Sequence, residues 1–301
     1  RILILGSSGM LGSAVQSEIV HEHLGETIHH NSTICDLRNQ SETNYLIHYV
    51  KPEVVYNCAG VVGGIKHNMS NQYVFGYDNT LIGLNIIDSL LRHNVKYFYN
   101  VASSCMYPRD CKQPMKEEYL FKGELEPTNR SYALAKLTIA NLVNEARTKF
   151  DMRYISFVPC NLYGYGDDFN TFSGHVMASL IAKFMNEDEN VIVMGDGTAR
   201  RELMHVTDAA KIIVKASLVL SDPIINVGTG TDISIAELAQ IIKKATNSMA
   251  KIIFDKSAAA GMPQKLLDIS KIMKLNIPLK YDIQRGVEFM VQEFKRQNIW
   301  K

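Results

Sequence analysis

The sequence lacks a C-x-x-C pair, an excess of either charge, and any apolar run near the roughly 18 residues that a membrane-spanning helix requires. Its five cysteines, Cys35, Cys58, Cys105, Cys111 and Cys160, are odd in number and scattered, which argues against a disulfide framework or a zinc ribbon. A reducing, cytoplasmic setting is therefore expected. With 32 basic and 31 acidic residues the formal charge is +1, so electrostatics gives no reason to expect nucleic acid or an anionic membrane as partner. Internal repeats, low-complexity segments and Gly/Ser linkers are also missing, so any domain boundary has to be read from pattern. The first apolar run feeds a glycine turn rather than a cleavage site, unlike a signal peptide, and a residue or two is expected before Arg1.

What is present is enough chain, 301 residues with 46% hydrophobic, to bury a large core or two modest ones. Ile2 to Leu5 read as a strand covered on both faces, followed directly by Gly6-Ser7-Ser8-Gly9-Met10-Leu11-Gly12 and a helix over 14–20. Glycine at 6 permits a tight turn, at 9 a close approach of backbone to pyrophosphate, and at 12 close packing of helix on strand. The helix N-terminus is thereby aimed at phosphates. The context makes this a dinucleotide site rather than an ordinary glycine turn.

Strand and helix then alternate: a strand near 27–29, a helix over 41–50, a strand over 54–58, a helix over 79–93 and a strand over 97–102. That order predicts an α/β fold with a doubly wound parallel sheet of Rossmann type. Ligands of such sheets bind beyond the carboxyl ends of the strands, which puts Gly6 to Gly12, Asp36, Cys58 to Gly60 and Ser103 to Cys105 on one rim. Downstream, in RSYALAKL, Tyr132 and Lys136 leave one helix face a turn apart. A lysine beside a phenol favours the phenolate and so suits the tyrosine to proton transfer at neutral pH.

The glycine turn, the serine-rich strand end and the Tyr-x-x-x-Lys helix together resemble the extended short-chain dehydrogenase/reductases over nearly the whole chain. The segments SSCMYP, KQPMKEEYLFKGELEPTNRSYALAK, PCNLYG and GHVMASLIAKF narrow the resemblance to the GDP-L-fucose synthase family, NADPH-dependent reductases that also epimerise a GDP-4-keto-6-deoxy sugar at C3 and C5. The resemblance implies catalytic roles for Ser103, Tyr132 and Lys136 in reducing the ketone, and for Cys105 and His175 in moving protons at the flanking carbons. A ketone at C4 acidifies both neighbours, and a thiol and an imidazole have pKa values suited to giving and taking such protons. The acidic Asp-Glu pair of nucleotide-sugar dehydratases is missing after Ser103, which counts against dehydration.

By the same resemblance the cofactor is NADPH. It is expected against Gly6, Ser7, Ser8, Gly9, Met10, Leu11 and Gly12, with Asn31 and Ser32 near its 2'-phosphate and Asp36 and Leu37 beside the adenine. Cys58, Ala59, Gly60, Val101 and Ala102 would line the rim, and Lys136, Pro159, Asn161, Leu162 and His175 the nicotinamide end. No Asp or Glu stands in the His29-His30-Asn31-Ser32 stretch to repel a 2'-phosphate. The GDP-sugar would meet Ser103, Ser104, Cys105, Tyr132, Asn161, Lys183, Met194, Arg201 and Asp268, with the fork of Arg201 suited to a diphosphate.

His21, His23, His29 and His30 are too loosely spaced for a metal site and read as solvated surface; no metal is expected. His205 and Asp208 read as structural, helix-starting residues. INVGTG, 225–230, is expected to return to the large sheet, and Ser234 with Glu237 to open an amphipathic helix by a capping box. The expected division is a cofactor domain over 1–160 plus about 200–228, and a smaller α/β sugar-nucleotide domain over 161–199 and 229–301. Relatives pair as homodimers through the helices near 79–93 and 131–148. Two alternatives stand beside the main reading: a 4-reductase without epimerase activity on a related GDP-4-keto sugar such as a heptose, and a non-catalytic dinucleotide-binding regulator.

Overall fold

The computed structural model describes residues 1–259 and 261–297. Short runs rich in apolar and β-branched or aromatic residues form the parallel strands β1 (Ile2–Leu5), β2 (Thr27–His30), β3 (Val54–Asn57), β4 (Tyr97–Val101) and β5 (Arg153–Pro159). Each of the first four leads into a helix: α1 (Met10–His21), α2 (Gln40–Val50), α3 (Ile65–Ser70) with α4 (Gln72–Arg92), and α5 (Arg130–Phe150). All four residues of β1 are buried, as a strand covered on both faces demands. After β5 the chain leaves the sheet through β6 (Asn161–Tyr163), α6 (Val176–Asn186), β7 (Asn190–Met194), β8 (Arg200–Arg201) and β9 (Leu203–His205). It returns through α7 (Val206–Val219) to β10 (Ile224–Val227), and ends with β11 (Ile233–Ser234), α8 (Ile235–Thr246), β12 (Lys251–Asp255), β13 (Gln264–Lys265), α9 (Ser270–Met273) and α10 (Ile283–Arg296).

The large sheet has the order β10-β5-β4-β3-β1-β2, with every pair parallel. Its order reverses between β1 and β3, where a doubly wound sheet opens a crevice for a nucleotide. One apolar core joins this sheet to α1, α7 and the segment around Met262 to Ile272; a second lies under α2, α4 and α5. A third, separate core unites α6, α8 and α10 with the parallel pair β7 and β12. Across the two halves β8 pairs with β11 and β13, and β6 with β9.

Two element starts differ from the sequence reading. α1 begins at Met10 rather than 14, because Gly12 sits in its first turn, where a Cβ would lie 2.1 Å from the Gly6 carbonyl oxygen. α4 begins at Gln72 rather than 79, since its first turns expose Tyr73, Val74 and Tyr77 and so show no apolar periodicity. His30 is also buried rather than solvated: its Nε2 bonds the Cys35 carbonyl at 2.9 Å, and desolvation pushes its imidazole pKa down. β10 joins the large sheet, and Ser234 and Glu237 cap α8 reciprocally. Asp208, in the first turn of α7, accepts the backbone N–H groups of Lys280 and Tyr281.

Candidate active site

The glycine turn is built as a phosphate cradle requires. Gly6 has φ +75°, a conformation that costs glycine nothing, and any Cβ on it would lie 2.8 Å from Ala59. Gly9 stands at the N-cap of α1 without a side-chain cap, so the first N–H groups of the helix are unsatisfied by the turn and suited to an anion. Ser7 is committed elsewhere: its hydroxyl donates to the His30 carbonyl and accepts the His30 N–H, tying the turn to β2. Ser8 is exposed. Beyond β2, the Asn31 side chain accepts from Thr33 and Ile34, Ser32 is exposed, and Leu37 is packed in the core. Asp36 is held low by hydrogen bonds from Arg38, whose guanidinium also reaches Asp78 at 3.0 Å. Arg38 is absent from the sequence reading; the acid two residues before it was the available signal.

At the ends of β3 and β4 the residues converge. Lys136 is buried on α5 and donates to the Val101 carbonyl at 3.2 Å, while a Cβ on Gly60 would lie 3.2 Å from its Nζ. Burial pushes this ammonium down to about 8, and the neighbouring Cys58 thiol up to about 12. Tyr132, one turn earlier, lies close enough to Ser103 for that hydroxyl to favour its phenolate. The expected lowering of the phenol by Lys136 does not appear in the protein alone. Both groups are buried, and desolvation, with Cys105 adding to it, pushes the phenol up against the pull of Ser103; the lysine lies 5.9 Å from the ring centre. Ala102 and Pro159 are buried behind this rim, and Val101 is partly so.

Ser103 caps a single 3-10 turn, Ser104–Met106, and its hydroxyl accepts the Cys105 N–H at 3.2 Å. That turn presents Cys105 to a cavity shared with Asn129, Asn161, Leu162, His175, Lys183, Met194 and Arg201. His175, at the N-cap of α6, remains solvent-accessible; desolvation by the surrounding cavity wall and then nearby Lys265 hold it below its ordinary pKa, against an opposing pull from Asp168. Lys183 donates to the Ile192 carbonyl at 2.6 Å, and its pKa is lowered by burial and then by Lys66. Arg201 is buried, and its Nη1 donates to the Arg200 carbonyl at 2.7 Å.

Four expected sugar contacts, Ser103, Ser104, Tyr132 and Asp268, are not among the residues that line this cavity. Ser104 is buried in its turn, and Asp268 is turned away, its carboxylate accepting the Ser270 N–H. Conversely, Lys66, Glu126, Asn129 and Lys265 line the cavity without having been singled out from the sequence. Glu126 and Asn129 lie within the KQPMKEEYLFKGELEPTNRSYALAK segment, but Lys66 and Lys265 sit in segments with no periodicity to orient them.

Chemically, the arrangement brings together a phenol and a hydroxyl, a buried ammonium beside them, and a thiol and imidazole opening into one cavity. It can bind a carbonyl oxygen, protonate it, and exchange protons at carbons beside it. Among the described residues the one metal-compatible cluster, Glu18, His21 and Glu22, is on α1, away from these groups.

Comparison with known proteins agrees with this chemistry. The model of the NAD dependent epimerase/dehydratase family matches residues 2–228. A GDP-L-colitose synthase from Yersinia pseudotuberculosis is 34% identical, covering 98% of this chain and 97% of its own. A GDP-L-fucose synthase from Escherichia coli is 33% identical, with 98% and 96% covered. Among solved structures, a GDP-mannoheptose C4 reductase from Campylobacter jejuni with NADP bound superposes with a TM-score of 0.86 at 28% identity, covering 98% of each chain.

Proposed function

The chain belongs to the NAD dependent epimerase/dehydratase family, and from that premise we propose an NADPH-dependent reductase of a GDP-4-keto-6-deoxy sugar that also epimerises C3 and C5. The observation that carries this reading is the pairing of two sets of groups at one place. Ser103, Tyr132 and Lys136 suit carbonyl reduction, and Cys105 and His175 open beside them into a cavity that also holds Lys183 and Arg201.

NADPH fits the rim: the cradle at Gly6 and Gly12 excludes side chains, the N-terminus of α1 faces it, and Lys136 spends one donor on Val101 and keeps others for ribose hydroxyls. When bound, NADPH supplies the hydride. Ser103 and Tyr132 hydrogen-bond the C4 carbonyl oxygen, and Tyr132 gives it a proton as the alcohol forms. Before that, Cys105 and His175 move protons at the carbons flanking the ketone, where removal on one face and return on the other inverts the centre. Lys183 and Arg201 bind the diphosphate.

A second reading keeps the reduction and drops the epimerisation, and the likeness to a heptose C4 reductase favours it. Incubation with GDP-4-keto-6-deoxymannose in deuterated water without NADPH separates the two. The main reading requires deuterium at C3 and C5, whereas sugar recovered unlabelled leaves reduction alone.

Among the described residues no helix is long and apolar enough to cross a membrane, and all five cysteines are free, which supports a cytoplasmic enzyme. A homodimer through α4 and α5 is supported by exposed Tyr73, Val74, Tyr77 and Leu134 on those helices.

A further inference from the structure

Cys105 has an unusual neighbour. Lys265, from the two-residue strand β13, places its Nζ 3.2 Å from the Cys105 sulfur, and the Asn129 side-chain amide donates to the same sulfur at 3.0 Å. Lys265 is itself buried. The backbone that carries it is fixed on both sides. Gln113 bonds the Gln264 carbonyl and the Leu266 N–H, Glu202 accepts the Leu267 N–H at 2.9 Å, and Lys265 sits in register with Arg201 of β8. A long side chain anchored at its base and enclosed along its length loses little further freedom in holding one contact, unlike an exposed lysine.

We propose that Lys265 is a positioning residue for proton transfer, holding the sulfur of Cys105 as a thiolate aimed into the cavity and thereby making Cys105 the base. This rests on the epimerase reading above, in which the thiol works at a carbon beside the ketone. The thiolate takes the proton from carbon, becoming a thiol, and the electron pair moves onto the C4 oxygen as an enolate. Return of a proton to the opposite face restores the ketone.

The charges around the sulfur agree with this assignment. Lys265 faces it from β13 and Arg201 from β8, with the neutral Tyr132 phenol on α5; the Glu126 carboxylate, which also acts on Arg201, is paired with Arg109 at 3.5 Å. Burial alone would raise the thiol pKa, but Lys265 together with hydrogen bonds from Ser103 and Asn129 outweighs it and holds the thiol below its ordinary value. The same ammonium works against a proton on His175. One cation thus separates the two groups, favouring the anion on sulfur and the neutral imidazole opposite it in charge balance.

The test is the ultraviolet absorbance of thiolate against pH in the full-length protein, with Cys105→Ser as the blank that isolates this sulfur from the other four cysteines. The wild-type midpoint should lie below the ordinary thiol value of about 8.5. Lys265→Met should raise it by at least one pH unit, roughly a tenfold loss of thiolate at fixed pH. Lys265→Gln, which keeps a donor without the charge, should do the same, and Lys265→Arg should restore a low midpoint. A Met or Gln variant that still binds NADP but keeps the wild-type midpoint overturns the proposal. So does a wild-type midpoint at or above the ordinary value, whether or not the variants fold. A low midpoint that depends on Lys265, in a protein that exchanges no sugar hydrogens, supports the charge assignment and removes the epimerase reading instead.

Discussion

The two walls of the cleft are made differently. The rim of the six-stranded sheet is a backbone device, in which a positive-φ glycine, a helix N-terminus and strand ends leave room for a cofactor, and few side chains there act on their own. The sugar-side cavity is assembled from side chains brought from far apart in the chain: Cys105, Asn129, His175, Lys183, Arg201 and Lys265. Backbone devices tolerate no added atoms, whereas side-chain assemblies tolerate exchange and change specificity. Variants of the two walls should therefore fail in different ways.

The largest effect is expected where the walls meet. Tyr132→Phe removes the proton donor without disturbing packing, so NADPH oxidation should fall by about 10³-fold. Binding of NADPH, followed by fluorescence titration, should change less than threefold. On the rim, Gly12→Ala adds a Cβ 2.1 Å from a carbonyl oxygen that cannot move away. Denaturant titration should show a loss of about 1–3 kcal/mol, with weakened NADPH binding alongside. On the other wall, Lys183→Ala should raise KM for the GDP-sugar about tenfold, the size of one charge-assisted hydrogen bond, with kcat nearly unchanged. Equal damage to NADPH binding by Lys183→Ala would erase the contrast.

A smaller effect comes from pH. Lys136 has its ammonium lowered to about 8 by burial, so its protonated form dominates below that value and is lost above it. NADPH affinity should accordingly decline by a few-fold as pH rises from 7 to 9, and Lys136→Arg, whose charge persists, should flatten that slope. Smallest of all, Ser234→Ala removes the cap of α8, remote from both walls. It should cost about 1 kcal/mol in thermal or denaturant unfolding and leave turnover unchanged.

The same contrast explains what the sequence disclosed. Strands such as Ile2–Leu5, the glycine turn and the return of β10 were legible because continuous apolar runs and glycines at fixed offsets are local signals. So was the Tyr132 and Lys136 pair, one helical turn apart. Their electrostatics was not, because it depends on burial that neither residue announces. Lys265 was invisible for a further reason: β13 is two residues long, without period, and its lysine gains meaning only from a cysteine 160 positions earlier. Asp268, three residues on, is the converse case: segment resemblance places it at the sugar, while its carboxylate accepts the Ser270 N–H and it does not line the cavity.

The central claim is that Ser103, Tyr132 and Lys136 reduce the ketone of a GDP-linked sugar. The most direct measurement supplies the protein with NADPH and GDP-4-keto-6-deoxymannose, follows NADPH absorbance, and identifies the product by NMR. The account predicts NADPH consumption matched one to one by a sugar bearing a hydroxyl at C4. NADPH that binds but stays reduced, with the ketone recovered intact from this and related GDP-4-keto sugars, would contradict it.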